Sequence, residues 1–162
     1  MDHETTQASN DLLRHTVATV AYRGGKVLRD VPEGVAGVRV GEGGRTGVEI
    51  LAHISDLFDW AVSLVEGHQV WKNSSPLAWP QEVARFHQTL KAFDDALVKN
   101  PVSQQLAERL FQGPISDALT HIGQIAQLRR LAGAIVRPEN YFVASVEKGC
   151  VGPDQPAAKL EF

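Results

Sequence analysis

Asp117 and His121 stand four residues apart in the segment Asp117-Ala118-Leu119-Thr120-His121-Ile122-Gly123-Gln124-Ile125. On an α-helix that spacing sets one side chain above the other, so a carboxylate and an imidazole reach a common point beside the helix. Ile115, Ala118, Ile122, Ile125, Leu128, Ala132 and Ile135 recur at three- and four-residue steps. They predict a helix from Ile115 to Val136 whose buried face contains both polar residues. A carboxylate and an imidazole are expensive to bury alone, and a metal ion neutralises the first while accepting the lone pair of the second. A second polar interruption, His53, lies at the edge of another apolar face formed by Ile50, Ile54, Leu57, Trp60, Ala61 and Leu64. His53, Asp117 and His121 would supply two imidazoles and a carboxylate to zinc, nickel, iron or manganese, leaving positions open for water or substrate as in a catalytic site. The plainer alternative is an Asp–His hydrogen bond with no ion.

Neighbouring polar residues have supporting roles to fill. Glu49 and Asp56 flank His53 and could orient a ligand or act as a base. Glu49, however, already has a capping task, and Asp56 is expected in solvent. Gln124 lies one turn beyond His121, within reach of a neighbouring ligand, and Gly123 is expected to let helices approach. His15, His68 and His87 read as helix-flank residues, and Cys150 as an inert thiol.

The elements that must position these groups are helices. A first pattern runs from about Asp11 to Arg23 after Ser9-Asn10, with Gly24-Gly25 as its expected end. A glycine-rich connection to Arg45 follows, with short extended pieces such as Val35 to Val40 conceivable inside it. Thr46-Gly47-Val48-Glu49 fits a capping box and starts a helix to about Glu66, where Gly67 stops it. Gln69 to Trp79 reads as a loop whose Trp71 and Trp79 would cap the site. Pro80 suits the first turn of a helix carrying Val83, Phe86, Leu90, Phe93 and Leu97 up to Asn100. A short helix, Val102 to Phe111, is expected to break at Gly113-Pro114 before the last long one. In the tail after Pro138, Tyr141, Phe142 and Val143 are expected against the bundle. The fold class is therefore all-α: a four-helix bundle with a short extra helix before the last long helix and an irregular C-terminal tail.

At 162 residues the chain suits one domain, 1–162, with the bundle at about 10–137 and the tail at 138–162. Hydrophobic residues make up 43% and charged residues 22%, and no apolar run is long enough for a bilayer. A net charge of -3 with scattered arginines argues against nucleic-acid binding. The polar start Met1 to Gln7 does not resemble a secretory signal, and the single Cys150 cannot form an internal disulfide, which together favour the cytoplasm.

Two segments resemble signatures of the DinB-like (DinB/YfiT) superfamily of metalloenzymes. Glu49-Ile50-Leu51-Ala52-His53-Ile54-Ser55-Asp56 is similar to its second-helix signature, which carries one metal-binding histidine, and His121-Ile122-Gly123-Gln124-Ile125 to its last-helix signature. The resemblance covers roughly residues 10 to 137. It implies that His53 and His121 are ligands and that Asp117 occupies the place usually held by the first histidine of the last helix. A carboxylate there is a harder ligand and adds a negative charge, so either metal preference and affinity differ or the site is degenerate. The resemblance further implies a metal-dependent transferase or isomerase that uses a low-molecular-weight thiol on a small molecule, and a homodimer. The alternative class is a non-catalytic, stress-related module binding a ligand or metal.

Overall fold

The computed structural model describes residues 3–162, with side chains from residue 6 onward. The start at Met1 to Gln7, read above for a signal, therefore lies partly outside the described residues. Five α-helices follow in order: α1 (His3–Leu28), α2 (Gly47–Val65), α3 (Trp79–Lys99), the short α4 (Gln104–Leu110) and α5 (Ser116–Leu131). Among the described residues the only β pairing is two isolated bridges, Arg39 with Thr46 and Glu139 with Glu161. None of these helices is long and apolar enough to cross a membrane.

Helix α2 sits deepest. Ile50, Leu51, Ala52, Ile54, Leu57, Phe58 and Ala61 are all buried, and α2 packs most extensively on α3 and next on α5. Helix α1 lies against the same two neighbours, so α1 and α2, consecutive in sequence, occupy opposite corners of the bundle. The connection between them, Arg29 to Thr46, spans that diagonal. Where extended pieces were conceivable it contains a 3-10 turn, Val35–Gly37, followed by the isolated bridge of Arg39 with Thr46. Phe58, Phe86 and Phe93 meet at the centre, all fully buried.

Gly24-Gly25 does not end the first helix, which runs on through both residues to Leu28. A Cβ on Gly24 would come within 2.5 Å of Phe86 Cζ, so the residue is needed for close approach of α1 to α3 rather than for a stop. Gly113-Pro114 likewise fails to break the chain. Phe111–Ile115 forms a π-helical turn joining α4 directly to α5, and the widened turn accommodates the proline ring inside a continuous helical path. At the far end α5 stops at Leu131, and Gly133 takes a φ of 78°. Ala132 and Ile135, expected on the buried face, are exposed.

Buried polar bonds tie the irregular segments down. Arg129 donates from Nη1 to the carbonyls of Val27 and Arg29, both at 2.7 Å, which fixes the exit of α1. Glu139 accepts from the Tyr22 hydroxyl at 2.6 Å and from Lys26 at 2.7 Å, and burial together with that carboxylate raises the Tyr22 pKa. His87 is buried rather than a helix-flank residue, with Nδ1 3.1 Å from the Val151 carbonyl. Tyr141 packs edge-on to Tyr22, but Phe142 and Val143, also expected on the bundle, are exposed, Phe142 almost fully.

Candidate metal centre

Thr46 caps α2 as its sequence predicts. Its hydroxyl accepts from the Glu49 amide at 3.3 Å, and Glu49 Oε2 accepts from the Thr46 amide at 2.6 Å. That box sets the first turn of α2 and places His53 one turn further on, facing α5. From α5, Asp117 and His121 meet it. His53 Nε2 lies 3.5 Å from Asp117 Oδ2, and His121 Nε2 lies 3.4 Å from Asp117 Oδ1. The three candidate ligand atoms all fall within 4.8 Å of one another.

Both imidazoles are largely shielded, with side chains 15% and 12% exposed, whereas Asp117 is 47% exposed. The pair on α5 is thus at the rim of the apolar face and not inside it, and the cluster opens to solvent on the Asp117 side. Burial pushes the His53 pKa down, and the charges of Arg45 and His121 act in the same direction. A neutral imidazole is the form that ligates metal. His121 Nδ1 stands 2.8 Å from Gln124 Oε1. As donor to that oxygen it leaves the Nε2 lone pair directed at Asp117, the tautomer a ligand needs. Gln124, expected within reach of a ligand, thus contacts His121 itself.

The spacing would let the group close on an ion. With bonds of about 2.0–2.1 Å, a tetrahedral site separates its ligand atoms by about 3.3–3.4 Å. The two Asp117 distances, 3.4 and 3.5 Å, run from different carboxylate oxygens, and with one ligand atom per residue the set spans up to 4.8 Å, so small side-chain shifts would close it to that edge. Both exceed the range of about 2.7–3.2 Å usual for a direct N–H···O bond. A possible His-Asp-His metal-binding group is therefore present, with room for further ligands on its open side.

Glu49 and Asp56 do other work. Glu49 is occupied by the cap and by Arg39 at 3.4 Å. Asp56, expected in solvent, is buried: it accepts from the Ser74 amide at 2.9 Å and from Arg85. Arg85 also donates to Asp59 and to fully buried Glu82, which accepts from the Leu77 amide at 3.0 Å. These carboxylates pin the loop between α2 and α3. That loop brings Trp71 edge-on to His53, with ring centroids 5.7 Å apart, and against Trp60 at 5.8 Å. Trp79, expected to cap the site with Trp71, instead packs on the hydrophobic core. Arg85 went unnoticed in the sequence because its partners come from α2 and from three residues earlier on α3. Gly123 is exposed and a Cβ there would meet nothing, so no close helix approach depends on it.

Two recesses flank the cluster. One, of about 300 Å³, includes His53, Arg45, Asn73 and Ser74 in its wall. The other, of about 430 Å³, includes His121, Gln124, Arg45 and Ile50. No protein-family model matches the chain, and no curated protein or solved structure is detectably similar to it.

Proposed function

We propose that His53, Asp117 and His121 hold a divalent metal ion and that the protein is a DinB-like, metal-dependent enzyme, a thiol-dependent transferase or isomerase acting on a small molecule. The observation that carries this reading is the convergence of His53, Asp117 and His121: their ligand atoms lie within 4.8 Å of one another, and each Asp117 oxygen faces a different imidazole Nε2 at 3.4 to 3.5 Å. The two imidazoles would bind the ion in their neutral form, Gln124 would keep His121 in the ligating tautomer, and Trp71 would shield His53. When bound, the ion supplies Lewis acidity and favours the thiolate of a small thiol at neutral pH. Asp117 would leave the open side accessible to that thiol and to its electrophilic partner. The reading includes a homodimer, for which the exposed apolar groove at Leu12 and Phe111 offers a surface, and a cytoplasmic setting.

The test is metal analysis followed by turnover. Purified protein is equilibrated separately with zinc, nickel, iron and manganese, dialysed, and assayed for retained metal. The loaded forms are then given small thiols and electrophilic acceptors. Retention of about one ion per chain with metal-dependent thiol consumption is the expected result. Retention without turnover by any thiol would favour a binding module, and no retention of any ion would sink the site.

A further inference from the structure

The two recesses beside the cluster share a wall, and Arg45 stands in that wall. Its backbone is held, since it immediately precedes the capping threonine of α2 and a Cβ at neighbouring Gly44 would collide with the Val40 carbonyl, while the residue itself is exposed. Charges around the first recess cancel in pairs: Arg39 is taken by Glu49, and Asp56 by Arg85. In the second recess Arg45 is the only arginine, lysine or carboxylate residue. Among the described residues Arg45 has no acidic partner. An uncommitted guanidinium is thus left beside the candidate ligands.

We propose that Arg45 is a specificity residue that anchors the carboxylate of a small organic acid reaching the cluster through these recesses. This inference rests on the metal-site reading for what the rest of the ligand does. A divalent ion held by one carboxylate and two neutral imidazoles keeps a net positive charge, which with Arg45 forms a field that draws anions. The planar guanidinium fork matches a carboxylate with two parallel hydrogen bonds. One free cation suits one carboxylate, whereas a dianionic phosphate would call on a second, and Arg39 is engaged. Recesses of about 300 and 430 Å³ suit a small molecule.

The experiment compares 3-mercaptopropionate with 2-mercaptoethanol on cobalt-loaded protein, reading the thiolate charge-transfer absorption. The wild type should bind the anionic thiol about tenfold more tightly, the effect of one charge-assisted pair. Arg45→Met should erase that preference while retaining cobalt and binding 2-mercaptoethanol unchanged, and Arg39→Met should keep it. Equal affinities in the wild type, or a preference that survives Arg45→Met, would overturn the proposal. Failure to retain cobalt would count against the metal site alone. In that event the metal-free protein decides: 3-mercaptopropionate should give a saturable shift of the Arg45 side-chain NMR resonance and leave that of Arg130 in place. No such shift overturns the anchor.

Discussion

Two polar clusters interrupt the apolar surface of α2, and they are built in opposite ways. At Asp56 the carboxylate oxygens are occupied by Arg85 and by the Ser74 amide, and Glu82 completes the set through Arg85 and the Leu77 amide. Charge meets charge and donor meets acceptor, which is what permits two carboxylates to be buried. At His53 each oxygen of Asp117 lies 3.4 to 3.5 Å from a different imidazole nitrogen, and among the described residues no arginine or lysine pairs with that carboxylate. The first cluster is satisfied by protein groups alone; the second is a group that could hold a metal ion. Burial alone does not tell the two clusters apart, whereas the balance of donors and acceptors does.

Removing a ligand should break the contrast most severely. His121→Ala is expected to lower metal affinity by more than about a hundredfold, beyond the 10- to 100-fold typical of losing an outer hydrogen-bond partner. His68→Ala, at an exposed position beside Glu66, should change nothing. Metal content by mass spectrometry after dialysis checks both. If the two variants match the wild type, the cluster does not bind metal.

Arg85→Met should act on stability instead. It leaves the buried Asp56 and Glu82 carboxylates without their cation and is expected to cost about 3–5 kcal/mol, measured by urea unfolding. A loss below about 1 kcal/mol would mean that the network is not a structural cluster of the kind described. The loosened loop should also raise the solvent exposure of Trp71, readable by fluorescence quenching.

Gln124→Ala sharpens the comparison more gently. Without its oxygen the His121 tautomer is no longer held, and metal affinity should fall about tenfold with little change in unfolding free energy. An unchanged affinity would show that Gln124 does not orient the ligand.

The smallest effect is in pH. Burial depresses the folded pKa of His53 and of His87 below the ordinary 6.5, so the unfolded chain takes up protons first as pH falls. Stability of the metal-free protein is therefore full above pH 6.5, declines as pH drops through that value, and levels off below the folded pKa values. Urea unfolding across this window should show the decline in the wild type and a shallower one in His87→Phe. With metal bound the fall should be steeper, because protons then compete with the ion for His53 and His121.

Local patterns determined the helices of this protein. Thr46 and Glu49 state the start of α2 through a bond pattern that four consecutive residues complete, and the spacing of Phe86, Leu90, Phe93 and Leu97 states the buried side of α3. The reach of His121 toward Asp117 and Gln124 was legible for the same reason, since all three lie on one helix with fixed geometry. Packing decided what such patterns cannot contain. Gly24 looks like a helix stop until Phe86 is found where its side chain would be, and Asp56 looks solvated until Arg85 arrives from α3. The place of Gly113-Pro114 depended on a π turn held inside the bundle, not on the proline's own preference. Whether His53 would face Asp117 was likewise a tertiary matter: helix periodicity sets direction around one axis, and only the docking of α2 on α5 brings two such directions together.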